Sequence, residues 1–217
     1  MGRIISKILD YLFPPKCVFC GKILDDPGDG WCDKCIESLP YTDDFGKQSG
    51  EFFDFCISPL YYTGVVRRSI LNYKFRGASQ YADVYGVFLV DCIRGCPDVQ
   101  FDIISWVPLS VKHERKRGYD QAKILAEATA CGFDDIITET LKKPRDVQAQ
   151  SELGDKTERS ANISGAYEAV NLDFIAGKRV LLIDDVVTTG STLDECAKVL
   201  LASGATGVVC VTLARSE

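Results

Sequence analysis

The stretch Val180-Leu181-Leu182-Ile183-Asp184-Asp185-Val186-Val187-Thr188-Thr189-Gly190-Ser191-Thr192 limits the fold more than any other part of the chain. Four consecutive apolar residues suit a strand buried on both faces, as in a parallel sheet. Two acids then follow where such a strand is expected to end, and ligands of open α/β sheets bind outside the carboxyl ends of their strands. Gly190 lets backbone approach a ligand closely. Ser191 and Thr192 open a helix whose apolar positions Leu193, Ala197, Leu200 and Leu201 keep helical spacing, with Gly204 as its stop signal. The segment from Val180 to Ser203 therefore reads as strand, loop and helix.

That order carries chemistry. Backbone N–H groups and hydroxyls from Thr188 to Thr192, together with the positive end of the helix, suit a phosphate monoester. The carboxylates of Asp184 and Asp185 are acceptors for vicinal sugar hydroxyls, and carboxylate and phosphate oxygens also suit Mg²⁺. A phosphate and a diol at that separation describe a ribose 5-phosphate. A surface turn with acids facing water would explain an acidic pair alone, but not the whole ordered string. Other nucleotide motifs are missing: there is no G-x-x-x-x-G-K-[ST], and Gly28-Asp29-Gly30 is followed by Asp33 where a third Gly belongs.

From about Asp54 onward, strand-like and helix-like runs alternate. Strands are expected at Phe55–Tyr62, Phe101–Val107, Ile136–Leu141, Ala166–Val170, Arg179–Ile183 and Gly207–Leu213. Helices are expected at Gly64–Phe75, Gln80–Arg94, Tyr119–Cys131 and Ser191–Ser203. Such alternation implies an α/β fold, a parallel sheet flanked by helices. Lys142 to Asn162 is polar and charged and reads as a mobile loop with room for one helical turn.

Three basic clusters are candidates for holding further phosphate: Lys112, Arg115, Lys116 and Arg117; Arg67, Arg68, Lys74 and Arg76; and Lys142, Lys143, Arg145 and Arg159. Each reads equally as a solvated charged face when taken alone. His113, the only histidine, excludes His-rich metal sites.

Residues 14–40 form a Cys-, Gly- and Pro-rich module. Cys17-x-x-Cys20 and Cys32-x-x-Cys35 are two knuckles whose spacing suits four thiolates around a structural zinc. A redox dithiol and an iron–sulfur cluster are the alternatives. The other six cysteines, Cys56, Cys92, Cys96, Cys131, Cys196 and Cys210, lie in apolar stretches and read as reduced packing residues. The expected division is residues 1–50 for an N-terminal helix and zinc module and residues 51–217 for the α/β domain.

Composition sets the outer bounds. The chain has 217 residues and a net charge of −6, so an anion site must come from local clusters of cations. No apolar run reaches the ~20 residues of a membrane span. In Met1 to Phe13, Ile4, Ile5, Ile8, Leu9 and Leu12 make one helical face expected to dock on the body. Lys7 and Asp10 interrupt it, so it is no secretory signal.

The 180–192 string resembles the signature with which type I phosphoribosyltransferases bind phosphoribosyl pyrophosphate (PRPP). The whole chain resembles the ComF family (competence protein F, amidophosphoribosyltransferase-like). Leu12-Phe13-Pro14, both Cys pairs, Tyr62 to Gly77 with Lys74, Val107-Pro108-Leu109 and Arg117-Gly118-Tyr119-Asp120-Gln121 fit it, as do Gln150, Leu153, Arg159, Asn162 and Gly165. Asp120 stands where the family usually shows Asn, and Lys143 where Arg is common.

The resemblance implies a zinc finger joined to a type I phosphoribosyltransferase domain, a cytoplasmic place, and a role in natural transformation with competence proteins of helicase-like or DNA-processing type. It implies a PRPP site over Asp184 to Thr192 (Val186 and Val187 included). Asp184 and Asp185 would hold the ribose and Mg²⁺, and Lys74, Arg115 and Arg117 the pyrophosphate. The reaction implied is Mg-dependent phosphoribosyl transfer to nitrogen. The alternative is a non-catalytic adaptor for a ligand, a partner or single-stranded DNA, with Phe19, Trp31 and Tyr41 as stacking faces; simple packing explains those three rings as well.

Overall fold

The computed structural model describes residues 14–26, 28, 30–144 and 165–217. The expected helix over Met1 to Phe13, and the part of the expected loop that holds Arg145, Gln150, Leu153, Arg159 and Asn162, lie outside the described residues. Strands β1 (Phe55–Ile57), β2 (Leu60–Tyr61), β3 (Ile103–Trp106), β6 (Arg179–Val187) and β7 (Gly207–Arg215) form one sheet in the order β1-β7-β6-β3, with β2 also on β7. All of these pairings are parallel. A second, antiparallel pair joins β4 (Leu141–Lys142) to β5 (Glu168–Ala169).

The central strand follows the period-2 rule. Leu181 and Ile183 of β6, with Val209, Val211 and Leu213 of β7, enter one core layer. That layer is covered by helices α2 (Gly64–Phe75), α3 (Tyr81–Gly95) and α5 (Gln121–Cys131). Val180 and Leu182, with Val208 and Cys210, enter the opposite layer, where Leu193, Cys196, Ala197 and Leu200 of α7 (Ser191–Ala202) cover them. The remaining α-helices among the described residues are short: α1 (Asp33–Ser38), α4 (Val111–Arg117) and α6 (Leu172–Ile175). Cys17, Val18, Phe19, Cys35 and Leu39 of the zinc module belong to the first layer, so the module packs on the α2–α3 side.

Four expectations need adjustment. The strand over 55–62 is broken at Ser58-Pro59, where Pro59 has no N–H for a ladder. The central strand does not end at Ile183. On the β3 side its pairing stops there, opposite Trp106, but on the β7 side Asp184, Val186 and Val187 still pair with Thr212, Ala214 and Arg215. The acids thus sit within the strand, at the place where one neighbour has ended. No continuous strand forms over 136–141: Ile137 makes a single parallel bridge to Ile104, while Asp135 takes the Ile136 N–H that a ladder would need. Of the six cysteines assigned to packing, five are buried and Cys131 is exposed.

Leu182 is fully buried between the two neighbouring strands and α7. Leu182→Ala is expected to lower the unfolding free energy by about 2–5 kcal/mol, read from urea denaturation at unchanged slope.

Candidate ligand site and metal centre

The two acids occupy consecutive strand positions and so project to opposite faces. Asp185, only 3% exposed, meets α2: its Oδ1 accepts from Lys74 Nζ at 2.6 Å. Its Oδ2 is buried and has no hydrogen-bond partner. A buried carboxylate oxygen without a donor is costly, so this atom points to something that donates there. Asp184 is half-buried, and its Oδ1 accepts the backbone N–H of Asp185 at 2.8 Å. Burial, with Asp185 alongside, holds the Asp184 carboxyl well above the usual carboxylate range. Burial alone would lower the Lys74 ammonium, but attraction by Asp185 and Asp184 outweighs it and leaves Lys74 raised.

The chain then turns into α7. Thr188 and Thr189 are exposed. Thr189 Oγ1 lies 2.9 Å from Ser191 Oγ and accepts the Ser191 N–H at 3.4 Å. Gly190 has φ +81°, a left-handed conformation that disfavours side chains, although an added Cβ would meet only ordinary contacts at 3.5 Å. The turn thus gathers the Thr189 and Ser191 hydroxyls at the start of a twelve-residue helix, whose first N–H groups have no intrahelical acceptor.

The cations divide. Lys74 reaches Asp185. Arg117 stays close to the same helix end, with its guanidinium 4.8 Å from the Phe75 ring and Nη1 donating to Gln121 Oε1 at 2.6 Å. Arg115 is exposed on α4. That helix is capped by Ser110, which accepts from the His113 N–H, and closed by Gly118 at φ 87°; these are cap signals the sequence carries on either side of the basic run. Lys143 donates to Tyr167 Oη at 3.2 Å.

Several residues hold the site together through partners that their local sequence does not indicate. Asp120 caps α5 through the Ala122 and Lys123 N–H groups and also accepts the Leu109 N–H at 2.8 Å, pinning the loop after β3. Three accepted N–H groups suit an acceptor-only carboxylate, which accounts for Asp at this position. Tyr73 donates to the Gln121 carbonyl at 2.6 Å and Tyr119 to the Tyr73 carbonyl, fixing the helix end that bears Lys74. Asp194 of α7 accepts the N–H groups of Glu51 and Phe52, which seats the segment after the zinc module against the Gly190 turn, beside Phe53 and Gln48.

In the metal module the four sulfurs of Cys17, Cys20, Cys32 and Cys35 lie within 4.8 Å of one another. Cys20 and Cys32 sulfurs are 3.8 Å apart, far from a disulfide bond. A tetrahedron with Zn–S near ~2.3 Å has edges of about 3.8 Å, so the set fits a structural zinc. Burial pushes the Cys17 thiol up, but N–H groups of Cys20, Cys32 and Phe19 outweigh it and bring it down to about 7. Phe19 is buried and stacks edge-on against Phe88 at 5.7 Å, and Trp31 does the same at 5.3 Å. Packing therefore accounts for two of the three rings considered for base stacking; Tyr41 is exposed.

Three outcomes follow from this geometry. Removing zinc with a chelator, or by Cys35→Ser, is expected to shift Trp31 emission to the red and abolish bound zinc by elemental analysis. Lys74→Met leaves Asp185 charged and unpaired and is expected to cost about 3–5 kcal/mol in denaturant titration. An acid held above its usual value contributes stability that is present below about pH 4 and lost as pH rises through the raised value. Asp184→Asn should therefore raise the melting temperature at about pH 9, with the difference vanishing near pH 4.

Comparison with known proteins agrees with this architecture. A phosphoribosyl transferase domain model matches residues 115–217 and a double zinc ribbon domain model matches residues 8–58. Competence protein F of Haemophilus influenzae is 26% identical over 93% of this chain and 97% of its own length. Competence protein ComFC of Bacillus subtilis is 30% identical over 71% of this chain and 62% of its own. DNA utilization protein YhgH of Escherichia coli K12 is 32% identical over 53% of this chain and 50% of its own. Among solved structures, the glutamine PRPP amidotransferase of B. subtilis complexed with ADP and GMP overlaps 61% of this chain and 26% of that one, at 22% identity and a TM-score of 0.42. With a four-cysteine ribbon packed on a parallel phosphoribosyltransferase-like sheet, the chain belongs to the ComF family.

Proposed function

We propose that the chain binds PRPP with Mg²⁺ at the ends of β6 and α7 and serves DNA uptake in the cytoplasm, as the names of its competence relatives suggest. The observation that carries the reading is the orphan Asp185 Oδ2, on the strand that runs directly into the Thr188–Thr192 turn. A ribose hydroxyl would supply the missing donor, and the turn's N–H groups and hydroxyls would take the 5-phosphate. Asp184 is the carboxylate left for a second hydroxyl or for Mg²⁺, which would neutralise charge on the pyrophosphate. Phosphoribosyl transfer would break the C1–O bond to pyrophosphate, form C1–N and release the nucleophile's proton.

A second reading keeps the ligand and drops the chemistry. Lys74 is engaged by Asp185 and Arg115 is exposed on α4, which favours a ligand role without a dedicated clamp for a leaving pyrophosphate. On this reading the protein is a PRPP-responsive adaptor for competence partners or single-stranded DNA.

Calorimetric titration of PRPP with Mg²⁺ decides the shared part. Micromolar binding is expected for wild type, weakened by about tenfold or more in Asp184→Asn/Asp185→Asn. No binding by folded, zinc-loaded wild type would overturn the proposal. Pyrophosphate release with ammonia, glutamine or a nucleobase selects the enzyme over the adaptor.

A further inference from the structure

On the face away from α7, the zinc module meets α3 along a cleft of about 590 Å³. Its lining includes four aromatic side chains, Trp31, Tyr41, Phe45 and Phe88, and two acids, Asp44 and Asp91, with no basic residue among them. Its mouth is apolar: Tyr41 is 48% and Val87 45% exposed. Asp83, Val87 and Asp91 recur every fourth residue on the exposed side of α3, a stripe about 12 Å long.

The acids are available. Among the described residues neither Asp44 nor Asp91 is in an ion pair. The basic residues near them in sequence are taken up elsewhere: Lys47 by Asp98 at 2.5 Å, and Arg94 by the Gly132 carbonyl and the Phe133 ring. Asp44 and Phe45 also hold left-handed backbone, at φ 46° and 58°, a cost that persists only where surroundings enforce it.

Aromatic faces beside unpaired carboxylates recognise an organic cation on an apolar stem. The acid–apolar–acid stripe extends that recognition over two helical turns, longer than one side chain. We propose that this cleft docks an amphipathic segment of a partner protein, whose apolar residues fill the aromatic floor while its Lys or Arg side chains reach Asp44 and Asp91.

The probe is a synthetic amphipathic helical peptide of Leu and Lys, about 14 residues long, with a Leu/Glu copy of the same apolar pattern. Calorimetry on the full zinc-loaded chain is expected to show saturable binding of the Leu/Lys peptide only. Asp91→Lys and Val87→Glu, both at exposed positions, should each weaken it by about tenfold. Asp173→Lys, on exposed α6, should leave it unchanged. Equal binding of the Leu/Glu copy, or equal weakening by Asp173→Lys, would overturn the proposal by reducing the effect to net charge. A benzophenone side chain at position 87 should crosslink the Leu/Lys peptide; a crosslink to the chain's own residues or to a second copy would instead assign the cleft to that occupant. Retained PRPP titration behaviour in all variants keeps the outcome separate from the ligand site.

Discussion

The fold rests on the burial of one strand on both sides. Val180 to Ile183 are fully buried, alternately against the helices that carry the zinc module and against α7. This commits the next two residues as well. Once β3 has ended and β7 has not, Asp184 and Asp185 must leave the core on opposite faces of a strand that is still paired on one edge only. The polar features of the candidate site follow from that half-paired end. Asp185 is forced toward α2, where Lys74 answers one oxygen and leaves the other unanswered.

A binding site of this kind stands in tension with stability. An unmatched carboxylate oxygen and a second carboxyl held above its usual range both oppose folding, and the layers of apolar residues beneath them offset that cost. The rigid frame around the tension is made of backbone contacts. Asp120 pins the loop after β3, and Tyr73 and Tyr119 lock the end of α2 to the start of α5.

Much of this was legible in the sequence because its signals are local. The 180–192 string carries strand, turn and helix in one continuous run, and the two Cys pairs carry the metal module. The helix Gly64–Phe75 has the expected bounds. What sequence could not supply was partnership. Nothing in the spacing says that Lys74 faces Asp185 rather than a phosphate, or that Asp194 holds the amides of Glu51 and Phe52. The strand expected at 136–141 failed for a local reason that could be read only afterwards: the Asp135 side chain competes for backbone N–H. The helix Val111–Arg117 has no apolar face to reveal its period, although Ser110 and Gly118 mark its ends.

The join between the two modules has a bearing on how the protein is made. The segment after the ribbon pairs with Cys56 and Leu60, and the strands there lean on β7; Ser58 and Thr212, which share a hydrogen bond, are 154 positions apart. At roughly 5–20 residues per second, a ribosome needs on the order of ten to thirty seconds to cover that distance. Through that interval the strands over 55–61 lack β7, and the edges that it will cover invite pairing with other chains. The ribbon, closed by thiols only a few residues apart, can be complete much earlier. It would then shield part of the nascent hydrophobic layer while the rest of the sheet is still being synthesised.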